Sequence, residues 1–308
     1  MSRPRVVVCG YGEYGVAALE TLLGLDAHIV AAVAPGNRSG PEVERFLTMA
    51  DGRGVYTCLQ PSRAAIDPFV EDLRALSPDV ILTWSYSMKL PPSVLEVPVR
   101  GAVNVHTALL PEYRGGHVLQ WALINGEAET GVTLHHMDEG IDTGPVIGQT
   151  RFALETTDDA VSVKAKMKPA GVALLRRWWP RIVDGTAPRA RQDETRARYW
   201  RMRTPEDGAI DWSQTADGVC RLVRALRSNT PGAFVRTSEG LVTIRRAYPV
   251  PPGEVADGVR VRAADADVLV TEAEFMGTVL RGAALASLPR IRPDRPPTHT
   301  SVQLFAPA

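Results

Sequence analysis

Short apolar runs alternate with segments of helical periodicity along the first half of the chain. Residues Arg5 to Cys9 form a continuous β-branched run, which is typical of a strand buried on both faces. Further apolar runs, each a candidate strand, cover residues 28–33, 80–84 and 102–106. Helical spacing of apolar residues covers 16–25 and 66–76. This alternation predicts an open, mostly parallel α/β sheet with right-handed crossovers. The run at 131–137 alternates less regularly, so we expect it nearer an edge of the sheet.

The pattern changes in the second half of the chain. Residues 157–183 form a long helical stretch, which Pro169 and Pro180 should each break or kink. After Gly185 the composition becomes polar and arginine-rich, which indicates a linker over residues 186–204. Beyond it the pattern is one of short strands, with a hairpin candidate around residues 238–240. The sequence therefore predicts a first domain at residues 1–185, a linker at 186–204 and a smaller second domain at 205–308.

Composition and charge exclude several classes of protein. The chain has 308 residues with 35 basic and 35 acidic side chains, and this balance disfavours a dedicated nucleic-acid binder without excluding a local basic patch. Its three cysteines include no CxxC pair, so we expect neither a disulfide framework nor a zinc site. No apolar run reaches the length of a signal peptide or a membrane span. These features predict a soluble cytoplasmic protein that does not bind membranes.

A glycine motif, Gly10-x-Gly12-x-x-Gly15, follows the first strand and opens a helix. It is the fingerprint of dinucleotide-binding proteins, which also carry an acidic residue at the end of the second strand. Here no Asp or Glu follows that strand until Glu42. The motif therefore favours a plain tight turn, and an NAD-dependent dehydrogenase stays as an alternative of a different class.

A second motif lies at the end of the predicted strand 102–106. Alternation along a strand places Asn104 and His106 on the same side. The carboxyl ends of strands in open α/β sheets border the ligand crevice, where an amide donor beside an imidazole suits carbonyl chemistry. Taken alone, however, an Asn-x-His pair is more often structural.

A third motif surrounds Asp142, which is bracketed by Gly140 and Gly144 in a predicted loop. Such glycines allow the backbone to approach a ligand closely, although the run could instead be a solvated acidic turn. His135 and His136 are adjacent and would point to opposite faces of a strand, so we assign neither to a metal. Near one crevice, an Asn, a His and an Asp make an acid–base centre with an oxyanion donor, because the carboxylate favours the protonated imidazole.

Two segments now carry a resemblance to a known family. Residues 104–116 (NVHTALLPEYRGG) and 120–147 (QWALINGEAETGVTLHHMDEGIDTGPVI) resemble the signature of the 10-formyltetrahydrofolate-dependent formyltransferases. The family's catalytic Asn, His and Asp fall on Asn104, His106 and Asp142. The resemblance continues through RTPEDGAIDW (residues 203–212) and NTPGAF (residues 229–234), so it covers most of the chain.

The resemblance implies a fold, a co-substrate and two sets of binding residues. It implies a Rossmann-like first domain followed by an OB-like β-barrel, and 10-formyltetrahydrofolate as co-substrate without a metal. The implied folate pocket consists of Trp84, Tyr86, Met88, Leu90, Asp138, Glu139 and Gly140. The implied substrate side consists of Leu110, Pro111, Arg114 and Gly115. The aromatic and methionine side chains of residues 84–88 could equally be core residues.

The amine acceptor is a separate question. The resemblance implies a basic insertion after the second strand in methionyl-tRNA formyltransferases, but residues 34–54 contain three arginines and no lysine. We therefore favour a small primary amine, either a nucleotide-linked amino sugar or an ornithine-like amine. Methionyl-tRNA is the alternative acceptor, and Arg221, Arg224, Arg227, Arg245 and Arg246 could form a patch for it or a solvated face. A hydrolase that passes the formyl group to water would use the same three residues.

Overall fold

The structure is a computed structural model that describes residues 3–229, 231–250 and 257–291. Its strands are β1 (Arg5–Gly10), β2 (His28–Pro35), β3 (Tyr56–Gln60), β4 (Val80–Trp84), β5 (Ala102–His106), β6 (Arg114–Gly115), β7 (Glu129–His136), β8 (Val146–Ala153), β9 (Tyr199–Trp200), β10 (Ala233–Thr237), β11 (Gly240–Val250), β12 (Val259–Arg262), β13 (Asp267–Phe275) and β14 (Thr278–Arg281). Its helices are α1 (Gly12–Leu23), α2 (Pro41–Asp51), α3 (Ile66–Ala75), α4 (Pro92–Leu95), α5 (Val118–Asn125), α6 (Ala160–Val183) and α7 (Ala216–Ala225).

The chain forms two compact units that interleave along the sequence. The first contains residues up to 115, 131–152 and 166–198, and the second contains 116–130, 153–165 and the residues from 199 onward. The predicted domain limits at residues 185 and 205 stay a prediction. Parts of the predicted second domain, residues 230, 251–256 and 292–308, lie outside the described residues, and so does one position of the 229–234 motif.

A seven-stranded sheet forms the first unit, in the order β3-β2-β1-β4-β5-β7-β8. The five strands from β3 to β5 are parallel, and β7 pairs antiparallel with β5. The centre of the sheet is buried because β1 and β4 consist mostly of apolar residues that face helices on both sides, as at positions 6–8 and 80–82. The predicted α/β class, with a mostly parallel sheet followed by a smaller β domain, is confirmed.

The turn between β1 and α1 explains the glycine motif. A Cβ atom at Gly10 would lie 2.9 Å from the Cα of Gly15 and 2.9 Å from the carbonyl oxygen of Trp84. Gly12 has a φ of +61°, in the left-handed region that favours glycine. The motif therefore allows α1 to start immediately beside the ends of β1 and β4, which is the tight turn that the sequence favoured.

Helix α6 corrects the part of one expectation that concerns a break in the helix. Pro169 and Pro180 both lie inside a continuous helix from Ala160 to Val183, and neither ends it. Both prolines are on the exposed side, whereas Met167, Leu175 and Trp179 are buried on the other. Packing of that apolar face stabilises the helix more than the lost backbone hydrogen bonds weaken it.

The second unit contains an antiparallel sheet in the order β10-β11-β13-β12, with β14 also paired to β13. The predicted hairpin around residues 238–240 joins β10 to β11. Helix α7 packs against β11 and also against α5. The buried residues of the sheet alternate with more accessible ones, as in Val242 and Ile244 of β11, which is typical of a sheet with one covered face.

Candidate active site

Asn104 and His106 lie at the carboxyl end of β5, on the same face of the first sheet. Pairing sets their neighbours: Thr83 of β4 lies beside Asn104 in the parallel register. On the other side, the antiparallel register of β7 places His135 opposite Asn104 and Thr133 opposite His106. Paired residues of neighbouring strands share a face, so these polar side chains form one group.

The side-chain amide of Asn104 is fixed at both ends. Thr83 Oγ1 donates to Asn104 Oδ1 at 2.7 Å, and Asn104 Nδ2 donates to His135 Nε2 at 3.1 Å. The Nδ1 of His135 lies 2.7 Å from the carbonyl oxygen of His136, and because a carbonyl only accepts, Nδ1 carries the hydrogen. The amide therefore keeps one N–H without a partner among the described residues.

The protonation of His135 supports this assignment. The side chain is 2% exposed, and burial lowers its pKa to about 4, even though the neighbouring carboxylate of Asp142 acts in the opposite direction. At neutral pH the imidazole is therefore uncharged, with its hydrogen on Nδ1. Its Nε2 lone pair is then available to accept from Asn104.

His106 is held by the backbone on one side and faces a carboxylate on the other. Its Nε2 lies 2.6 Å from the carbonyl oxygen of Tyr113, to which it donates. Its Nδ1 lies 3.6 Å from Asp142 Oδ1. This distance exceeds a hydrogen bond, so Asp142 acts on the imidazole through its charge. The other oxygen of Asp142, Oδ2, accepts from the backbone N–H of Gly115 at 2.8 Å.

The substrate-side residues implied by the sequence mostly turn inward. Leu110, Pro111 and Arg114 are buried, and Gly115 alone of the four is half-buried. Thr133 accepts from the backbone N–H of Leu110 at 3.2 Å and donates to the carbonyl of Ala108 at 2.7 Å. These residues therefore shape the loop that follows His106, and their role toward a substrate stays a prediction.

The residues implied for the folate pocket differ in their exposure. Trp84 and Leu90 are buried, and Trp84 stacks on Tyr14 at 5.3 Å between ring centroids. Tyr86 is half-buried and donates its hydroxyl to Gln60 Oε1 at 2.8 Å, and Met88 is half-buried. Trp84 and Leu90 are therefore core residues, and residues 85–89 are the accessible part of this segment.

The implied second wall of that pocket is exposed. Asp138, Glu139 and Gly140 all lie on the surface. Asp138 Oδ1 accepts from the backbone N–H of Gly140 at 3.0 Å and from the hydroxyl of Thr143, which closes the turn that leads to Asp142. Any side chain at Gly140 would collide with Thr143, because its Cβ would lie 1.9 Å from Thr143 Oγ1.

Comparison with known proteins identifies the family. Residues 22–178 match the family model described as formyl transferase, and residues 203–284 match that of the formyl transferase C-terminal domain. The chain belongs to the formyltransferase family. The prediction of a formyl-transferring enzyme is thereby confirmed.

Individual members of the family differ in their acceptors. The formyltransferase chain is 31% identical over 290 residues to a methionyl-tRNA formyltransferase of Citrifermentans bemidjiense. The aligned region covers 90% of this chain and 91% of the relative. Its fold is similar to that of WlaRD, a sugar 3N-formyl transferase solved in the presence of dTDP and 5-N-formyl-THF. That match has a TM-score of 0.69 at 16% identity and covers 90% of this chain and all of WlaRD.

A second solved structure has the same fold. It is the N-formyltransferase from Helicobacter canadensis, in complex with folinic acid and dTDP-3-aminofucose. The match has a TM-score of 0.68 at 17% identity and covers 87% of this chain and 98% of that chain. At these identities the two structures establish the fold of this formyltransferase and not its acceptor.

The sequence did not point to two residues of this formyltransferase site, Thr83 and His135. Both contact Asn104 directly. The antiparallel pairing of β7 with β5 would have indicated His135, since it lies opposite Asn104 in that register. His136 points away, as the sequence indicated, and donates through Nε2 to the carbonyl of Pro188 at 3.1 Å.

Two features are absent from the described part of the formyltransferase. Within it, no group of three or more His, Cys, Asp and Glu side chains is arranged to hold a metal ion. No helix there combines the length and the apolar character needed to cross a membrane.

Proposed function

We propose that this enzyme transfers the formyl group of 10-formyltetrahydrofolate to the primary amine of a small molecule, with Asn104, His106 and Asp142 as its catalytic residues. The observation that carries the proposal is the fixed amide of Asn104. His135 Nε2, which accepts from this amide, lies 3.7 Å from Asp142 Oδ1, and the same carboxylate oxygen lies 3.6 Å from His106 Nδ1. This is the arrangement expected of a centre that stabilises an oxyanion and moves a proton.

A folate co-substrate is supported by the solved relatives, which contained 5-N-formyl-THF or folinic acid. When bound, 10-formyltetrahydrofolate would supply the formyl carbon. The segment from Trp84 to Leu90 and the exposed turn from Asp138 to Gly140 would hold its pterin ring. Within the first segment the contact would be made largely by backbone groups of the half-buried residues 85–88, because Trp84 and Leu90 are buried and the Tyr86 hydroxyl donates to Gln60.

The chain's own residues account for the chemistry. The free N–H of Asn104 and the protonated form of His106 would stabilise negative charge on the formyl oxygen as the amine adds. Loss of one such donor typically lowers the rate about 100- to 1000-fold. Asp142, at 3.6 Å from His106 Nδ1, would take up the amine proton, and His106 would deliver a proton to the folate nitrogen as its bond to the formyl carbon breaks.

The arginines of the second unit support a small acceptor over a tRNA. Four of the five arginines considered for a basic patch form ion pairs with carboxylates: Arg221 with Asp217, Arg227 with Asp159, Arg245 with Glu274, and Arg246 with Glu272. Paired charges release few counterions on meeting phosphates, and so contribute little to binding of a nucleic acid. The connection from β2 to α2 is also short, covering only residues 36–40.

Methionyl-tRNA remains a second candidate acceptor because of the curated relative that is 31% identical over nearly the whole chain. The two acceptors differ in their response to salt. Transfer to a tRNA should weaken steeply as salt rises, because many phosphates are contacted, whereas transfer to a small-molecule amine with at most a few phosphate charges should change much less.

Formyl transfer to a panel of amines, followed by release of tetrahydrofolate, tests the proposal. The panel contains nucleotide-linked amino sugars, ornithine and charged initiator tRNA, and Asn104→Ala is the control. The expected result is turnover with a small amine by the wild-type enzyme and its loss in Asn104→Ala. Turnover with the charged initiator tRNA and with no small amine would identify methionyl-tRNA as the acceptor. Release of tetrahydrofolate without any amine would indicate a hydrolase. Absence of folate turnover under every condition would refute the proposal.

A further inference from the structure

The segment that follows α6 reaches back to the loop that carries Asp142. Ala190 and Val146 exchange two backbone hydrogen bonds, of 2.8 and 3.0 Å. Two residues further on, Gln192 Nε2 lies 2.8 Å from the carbonyl oxygen of Asp142 and 2.7 Å from that of Gly144. Because both partners are carbonyls, the amide donates both of its hydrogens to the backbone around Asp142.

Arg114 fixes the opposite end of this amide. Its side chain is 0% exposed, and Nε and Nη2 donate to Gln192 Oε1 at 3.1 and 2.9 Å. The same guanidinium donates to the carboxylate of Glu194 through Nη1 and Nη2, at 2.9 and 2.7 Å. A flipped amide would place its oxygen against two carbonyls and its NH₂ against the guanidinium. The orientation of Gln192 is therefore set by its surroundings.

The backbone that Gln192 holds is in an uncommon conformation. Asp142 has a φ of +56°, in the left-handed region that residues other than glycine rarely adopt. Such a conformation persists when the surrounding structure imposes it. The carboxylate itself has one hydrogen bond from the backbone, that from Gly115. One of the two bonds from Gln192 thus lies on a peptide unit that adjoins the Cα of Asp142, and the other lies two peptide units further along the same loop.

We propose that Gln192 is a positioning residue for catalysis: its amide, oriented by Arg114, holds Asp142 in the left-handed conformation that directs the carboxylate toward His106. The inference rests on the proposed function, because it assigns Gln192 a role through Asp142. It also gives Arg114 a role different from the substrate contact implied by the family resemblance. Arg114 supports the site from inside the protein.

Two substitutions of Gln192 and one matched control test the role. Gln192→Leu keeps the approximate volume and removes both donors, and Gln192→Glu keeps an oxygen for Arg114 but cannot donate. Each should lower kcat about 10- to 100-fold, as misplacement of a catalytic group by about 1 Å does, and leave KM for the amine within about twofold. The control is Asp193→Asn, since Asp193 Oδ1 accepts from the backbone N–H and the hydroxyl of Thr195 and does not contact the Asp142 loop. It should retain wild-type turnover.

A double-mutant cycle separates positioning from a general structural role. If Gln192 acts through Asp142, then Gln192→Leu should cost less than about twofold in an Asp142→Asn background. A cost there equal to that in the wild-type background would overturn the inference, and so would wild-type kcat in both single variants. Thermal unfolding of each variant identifies any that fails to fold, and Gln192→Glu then replaces Gln192→Leu in the cycle.

A crystal structure of Gln192→Glu decides the inference independently of turnover. The expected result is that Asp142 leaves the left-handed region, or that its carboxylate loses the N–H of Gly115. An unchanged Asp142 would overturn the inference even if the enzyme transfers formyl groups. If the wild-type enzyme transfers none, the proposed function fails, and this structural comparison still reports whether Gln192 holds Asp142.

Discussion

Acidification should weaken this fold through one buried side chain, His135. Its pKa is lowered from 6.5 to about 4 because burial disfavours the charged imidazole. In the unfolded chain the same group would titrate near its ordinary value of about 6.5. Between these two values the unfolded state binds more protons than the folded state, so the free energy of unfolding falls as the pH falls.

The size of the effect follows from the two pKa values. Each unit of difference corresponds to about 1.4 kcal/mol, so the full effect of His135 is about 3 kcal/mol and is complete below pH 4. Between pH 7 and pH 4.5 the expected loss is about 2 kcal/mol. That is a substantial share of the stability of an ordinary domain.

Urea unfolding of the wild-type protein and of His135→Gln measures this loss. Glutamine does not titrate and offers an oxygen to accept from Asn104, so the difference between the two proteins isolates the imidazole. The free energy of unfolding of the wild type should fall by about 2 kcal/mol more than that of the variant from pH 7 to pH 4.5. Parallel curves would refute the reasoning, as would an NMR titration of His135 with a midpoint above pH 6.

Three further predictions concern the sheet around Asn104. Asn104→Ala should lower kcat about 100- to 1000-fold with little change in KM, measured by tetrahydrofolate release, and a loss below tenfold would argue against an oxyanion donor there. Thr83→Val removes the hydroxyl bound to Asn104 Oδ1 and should lower kcat about five- to tenfold, since the lost hydrogen bond contributes about 1 kcal/mol; unchanged turnover would contradict the fixed amide. Gly171→Ala should destabilise the fold by about 1–3 kcal/mol in urea unfolding, because its Cβ would lie 2.4 Å from the Trp84 ring. Alanine is otherwise the better helix former, so a variant as stable as wild type would show that the contact is relieved.

The strands that build the site could be predicted from local sequence. The apolar runs at 80–84 and 102–106 coincide with β4 and β5, because buried parallel strands are continuous apolar segments. Strand β3 was not predicted, since only one of its five residues is buried. Helix α2 was not predicted either, although its buried Val43, Phe46 and Ala50 have helical spacing. The spacing of apolar residues along the chain reflects burial of one face of an element, so this signal is weak in an element that buries few side chains.

The residues missed at the site depend on contacts between distant parts of the chain. His135 lies 31 positions from Asn104, and only the antiparallel register of β7 brings the two together. Gln192 lies in a polar stretch that indicated a linker, although its amide contacts the Asp142 loop. Local composition cannot distinguish a solvated polar segment from one whose polar groups are all engaged.

The hydrogen bonds that fix Asn104 have a consequence for how members of this family diverge. The amide is oriented by Thr83, His135 and the backbone of His136, all within one sheet and none of them exposed to an incoming amine. Its alignment is completed during folding and does not depend on which acceptor arrives. In the proposed mechanism, changes in the surrounding loops can therefore alter which acceptor binds while the Asn104 amide stays aligned, so that specificity and catalysis can diverge separately.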